Sequence, residues 1–125
     1  MMNIVNIPVE ALPVFDYDDF LERMDGDMDL LREVIEIFLE DAPSLMGALR
    51  LAIRGGNKYA MERAAHTLKG AAANISAKGL RSLSGKMQEM IKKGEVTQIE
   101  KLLKEMETHY EELDRALRSH LTAKA

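Results

Sequence analysis

From Met28 to Leu121 the apolar residues of this chain return every three or four positions. Only an α-helix, turning about 100° per residue, gathers such residues onto one face. No stretch alternates with a period of two for long enough to make a strand. A chain patterned this way has to bury several long apolar stripes against one another. The connections between the stripes are short, which makes sequential helices antiparallel neighbours. The expected fold is therefore all-α: an antiparallel up-and-down four-helix bundle with a short additional N-terminal helix.

Punctuation sets the bounds. Pro8 and Pro13 interrupt regular helix, so residues 1–15 read as an irregular lead-in. Asp16 can cap a short helix through about residue 24, with Phe20, Leu21 and Met24 as its stripe, and Asp25-Gly26 ends it. A long helix over about 28–54 carries Leu31, Val34, Ile35, Phe38, Leu39, Leu45, Leu49 and Ile53, with a kink expected at Pro43 and a stop at Gly55-Gly56. Asn57 caps a third helix to about residue 75. Ser76 and Gly79 mark a tight turn, and a fourth helix runs to Lys93, closed by Gly94. Thr97 and Glu100 form a capping box for a fifth helix, with a stripe from Ile99 through Met106 and Leu113 to Leu121. The bundle domain thus spans residues 16–121, and residues 122–125 are expected to fray.

Composition narrows the function classes. The chain has 125 residues, enough for one core and too few for two. With 46% hydrophobic and 30% charged residues it is globular rather than disordered. A net charge of −4 supplies no electrostatic footprint for nucleic acid. The absence of Cys excludes disulfides, thiolate metal sites and cysteine nucleophiles. No segment is apolar enough to span a membrane, and the first residues lack the basic start of a signal peptide. A cytoplasmic location is expected.

The third helix carries the chemistry. Met61, Ala65, Leu68, Ala72 and Ile75 fall on one narrow stripe, its expected buried face. His66 lies roughly 140° from the centre of that stripe and points to solvent. It shares its side of the helix with Tyr59, Arg63, Gly70, Ala73 and Ala77. Gly70 costs the helix about 1 kcal/mol relative to alanine. Ala73 and Ala77 prolong a strip of minimal side chains where a solvated face usually shows Glu, Lys or Gln. A smooth strip beside an imidazole suits a flat partner that must reach the ring. Lys69 and Arg63 flank it with positive charge, where an anion could sit. The competing reading is an ordinary surface histidine beside a close helix–helix contact.

Other chemistries find little support. The serines sit in no nucleophile-elbow context, and there is no Gly-rich phosphate loop. His66, His109 and His120 form no i, i+4 pair, and the last two stand about 16 Å apart along a helix, so no metal site is expected. Those two read as surface or flanking residues. Without a nucleotide motif, any phosphoryl group has to come from outside the chain.

The run Ala65-His66-Thr67-Leu68-Lys69-Gly70-Ala71-Ala72-Ala73-Asn74-Ile75 resembles the signature of the histidine-containing phosphotransfer (HPt) family, in which an alanine precedes the phosphoacceptor His and a hydrophobe, Lys and Gly follow. Leu80, Leu83 and Gln88 continue the likeness, as does the long helix with an internal Pro, over about residues 16–118. Ser76 and Ala73 depart from it, at positions often occupied by Gly. The resemblance implies a phosphocarrier rather than an enzyme, without cofactor or metal, that takes a phosphoryl group on His66 Nε2. Lys69 would neutralise phosphoryl oxygens, supported by Arg63. Gln88 would hold the ring or phosphate, and Gly70 would leave room for the partner. The implied partners are a response-regulator receiver domain and a sensor or hybrid histidine kinase, with the chain as a monomer. Docking is expected at Ala73, Ala77, Phe20, Met24 and Leu31. The alternatives are a helical scaffold in which His66 has no covalent role, and a small hydrolase using His66 as a base.

Overall fold

The computed structural model of the chain describes residues 8–122, so residues 1–7 of the expected lead-in and 123–125 of the expected tail lie outside it. Its order is a single 3₁₀ turn, Val9–Ala11, then α1 (Tyr17–Arg23), α2 (Met28–Gly55), α3 (Lys58–Asn74), α4 (Lys78–Lys93) and α5 (Val96–Thr122). The long helices form a ring in which α2 packs on α3, α3 on α4, α4 on α5 and α5 back on α2. This is the expected all-helical bundle with one short extra helix.

The bounds follow local chemistry. Asp16, Asp27 and Asn57 each accept a backbone N–H three residues on, capping α1, α2 and α3. Gly56 and Gly94 close α2 and α4 in the left-handed conformation. Pro43 is accommodated inside α2, which continues through it. Two expectations at helix starts are corrected. Val96 opens α5, so Thr97 lies inside the helix instead of capping it. Gly79 belongs to the first turn of α4. Its missing side chain makes room for the His109 ring of α5, with which a Cβ would collide.

Inside the ring, Leu31, Ile35, Leu49, Leu68, Leu80, Leu83, Met106 and Leu113 are among the fully enclosed side chains. Ala65, Leu68, Ala72 and Ile75 are buried as the periodicity predicts, while Met61 is half-buried at the edge. The lead-in and α1 clamp the α3–α4 end. Gly79 N donates to Pro13 O (3.1 Å) and Asp16 N to Ser76 O (3.0 Å). Lys78 pairs with Asp16 at 2.8 Å. Arg23 Nη1 donates to Ala73 O (2.6 Å), and Ser76 Oγ donates to Asp19 (2.6 Å). The far end of α5 joins the same region, where His120 stacks on Tyr17 with centroids 4.6 Å apart. Neither His109 nor His120 is the plain surface residue expected. Both rings are partly buried packing elements.

Candidate functional site on the α2–α3 face

Because Ala65, Leu68 and Ala72 anchor α3 to the core, the helix has one rotational setting, and it turns His66 outward. His66 is exposed, as are Gly70 and Arg63, and Ala73 is half-buried. No heavy atom comes within 4 Å of where a Cβ on Gly70 would stand, so the space over the helix one turn beyond the imidazole is open. His66 borders a groove of about 550 Å³ between α2 and α3, lined by Asp41, Ser44, Leu45, Thr67, Gly70 and Asn74 among others. This is an open trough with the ring on its wall, quite unlike an enclosed hydrolase pocket.

Lys69 lies on the other flank of His66, towards α4. Its stem is half-buried, and its Cε passes 4.0 Å from where a Cβ on Gly85 would be. Gln88 follows that crossing on α4. Helices that run antiparallel and meet at Lys69 and Gly85 set His66, three residues back, about level with Gln88, three residues on. Gln88 is half-buried on α4. By that register the carboxamide falls about level with the imidazole and the ammonium one turn away, groups that can each hydrogen-bond or pair with an anion.

Several expected residues are placed otherwise. Arg63 was expected to flank the anion, but its Nη1 reaches the Tyr59 hydroxyl (3.4 Å) and its guanidinium lies over the Tyr59 ring at 5.8 Å. It leans one turn back along α3, away from His66. Ala77 is fully buried. The outward strip ends because α3 stops at Asn74 and Ser76 adopts φ 58°, so the helical wheel no longer applies at Ala77. Phe20 (0% exposed) and Leu31 (1%) are core, and Met24 is half-buried against it, so neither α1 through Phe20 nor the start of α2 through Leu31 offers an apolar docking surface.

The apolar surface near His66 belongs to α2 instead. Leu30, Val34, Ile37, Asp41, Ser44 and Ala48 share one face of that helix, and Ile37 is 53% exposed. The signal was available in the sequence: α2 has more apolar residues than one buried stripe can use. Among the described residues, no group of three or more His, Cys, Asp or Glu side chains is placed to hold a metal ion. No helix there is long and apolar enough to cross a membrane.

Comparison with known proteins adds two findings. A family model described as Hpt domain matches residues 33–116, more than half of the chain and inclusive of α3 and α4. Among solved structures, the chain is similar to histidine-containing phosphotransfer protein B from Pseudomonas aeruginosa PAO1. The TM-score is 0.82 at 19% sequence identity, over 90% of this chain and 98% of that one. At that identity the likeness concerns the fold. No curated protein matches.

Proposed function

The chain belongs to the Hpt domain family, and from that premise we propose that it is a phosphocarrier of a two-component phosphorelay, with His66 as the phosphoacceptor. The observation that carries the reading is the exposed imidazole of His66 on an open trough, with nothing bulky over the next turn at Gly70. The donor is a receiver-domain aspartyl phosphate or a histidine kinase, and the acceptor is a response-regulator receiver domain.

A neutral imidazole has a lone pair on one ring nitrogen. In the proposed step that pair, on Nε2, attacks phosphorus in line with the aspartyl oxygen. The P–N bond forms as the P–O bond breaks, its electron pair leaves with the carboxylate, and the proton on Nδ1 can pass to water. The reverse sequence delivers the group to the next aspartate. The Lys69 ammonium offsets charge on the phosphoryl oxygens, and the Gln88 carboxamide hydrogen-bonds the ring or the phosphoryl group. Phosphoryl transfer depends mainly on positioning and charge stabilisation, and favourable positioning alone can contribute as much as about 7–11 kcal/mol. A rigid helix face that presents one ring therefore suffices on this side of the complex.

Incubation with a receiver domain radiolabelled on its aspartate tests the proposal. The protein should acquire a label that is lost in acid and survives alkali, and His66→Gln should acquire none. A label retained in His66→Gln contradicts the assignment, and partner binding without any label favours the scaffold reading.

A further inference from the structure

Three clefts run end to end along the α2–α3 groove. The trough at His66 is the middle one. On the N-terminal side of α3 it meets a cleft of about 310 Å³ lined by Leu45, Ala48, Tyr59 and Arg63. On the C-terminal side it meets one of about 140 Å³ lined by Val34, Ile37, Asp41 and Asn74. Leu45 borders all three, and Asp41 borders the middle and last. Most of the lining is apolar or small. The charges in it are Arg63 on one side of His66 and Asp41 on the other.

Both charges are exposed, and among the described residues neither enters an ion pair. They are therefore available to a partner. Arg63 is also held in place, with its guanidinium over a Tyr59 ring that is 67% exposed. Such an exposed cation–π contact adds little to the stability of a fold. The same pair makes a ledge of two residue types that are enriched among interface hot spots. A charge of each sign, set on either side of a reacting group, rewards one orientation and sign pattern in a partner and penalises the opposite.

We propose that Asp41 and the Tyr59–Arg63 ledge determine which receiver domain the groove accepts. The fitting receiver presents an apolar ridge to Ile37 and Leu45, a basic side chain to Asp41 and an acidic one to Arg63. Arg63 acts on docking and makes no contact with the phosphoryl group. This inference rests on the phosphocarrier reading.

The test uses the full chain, its Asp41→Lys and Arg63→Glu variants, and a panel of receiver domains that differ in charge around the acceptor aspartate. Circular dichroism first establishes that the variants fold. Each protein is charged on His66 with phosphoramidate, a small donor with no docking surface and ammonia as its leaving group. Transfer to each receiver is then followed as a function of receiver concentration and salt. Each reversal is expected to raise KM about tenfold for receivers the wild type prefers, to lower it for receivers of opposite pattern, and to leave kcat within about threefold. The differences should shrink at high salt. An unchanged ranking of the panel overturns the proposal. So does a fall in kcat at constant KM for Arg63→Glu, which would place Arg63 on the phosphoryl group. If the wild type takes no phosphoryl group from phosphoramidate or from any receiver, the phosphocarrier reading itself fails.

Discussion

Gly70 lies in the interior of α3 with open space where a Cβ would be, although glycine costs a helix about 1 kcal/mol relative to alanine. Nothing in the packing calls for it, and the proposed role of Gly70 is to leave room for a partner. Gly70→Ala is accordingly expected to raise stability by up to about 1 kcal/mol, seen as a higher urea midpoint, while slowing transfer between His66 and a receiver. A lower midpoint would point to packing instead. His66, Lys69 and Gly70 were legible at this scale because their directions follow from the helical wheel once a buried stripe is known. The wheel failed at Ala77, where the helix had already ended. It also carried no information on Arg63, whose direction is set by its own long side chain and by Tyr59.

At the scale of elements, the α3–α4 turn and the start of α1 stabilise each other. Ser76 holds φ 58°, a left-handed conformation that is costly for a residue with a Cβ. Its hydroxyl donates to Asp19 and accepts from Arg23, which ties α1 to the turn. Ser76→Ala keeps the backbone strain and loses both bonds, for an expected loss of about 1–3 kcal/mol. Ser76→Gly relieves the strain and should lose less. Equal losses in urea unfolding would show that the hydroxyl alone matters.

Asp16 joins the same clamp. The hydrogen bond from Lys78, and then that from the Asp19 amide, hold its carboxyl below the usual carboxylate range. Its folded value lies below the unfolded value of about 3.9, so its contribution is complete above that pH and is lost as pH falls through the folded value. Lys78, raised by the same bond, contributes below its unfolded value of about 10.4, and that share is lost as pH rises through the folded value. Asp16→Asn retains a capping side chain without the charge. Wild type should therefore be the more stable at neutral pH, and the two midpoints should converge as pH falls through the folded value of Asp16. A constant gap would mean that the ion pair contributes nothing. The caps at Asp16 and Asn57 and the stops at Gly56 and Gly94 were readable in sequence because each is a local event. The Thr97 capping box was not, since a helix can begin two residues earlier with no change in its apolar face.

For the molecule as a whole, the buried stripe and the proposed phosphoacceptor sit on opposite faces of one helix. Leu68 is fully enclosed by the ring, and His66, two residues before it, is exposed. Leu68→Ala is expected to cost about 2–5 kcal/mol. His66→Gln should change stability by no more than about 0.5 kcal/mol. Chemical denaturation of the two variants checks the contrast, and a large loss in His66→Gln would mean that the ring supports the bundle. Periodicity was enough to specify the helices and the class of fold. It could not say which of several apolar stripes meet, because that depends on how all the helices rotate together. Phe20 and Leu31 were for that reason expected at the docking surface when they lie in the core, while Ile37 on α2 is the apolar side chain left beside the trough.

All of this turns on His66 being the atom-bearing site of transfer. Tandem mass spectrometry locates the group directly, on protein charged by a phosphorylated receiver and kept at neutral to alkaline pH throughout. The phosphoryl group should be found on the peptide that contains His66 and nowhere else. Its presence on His109 or His120, or its absence from every histidine after exposure to a range of charged receivers, would contradict the assignment.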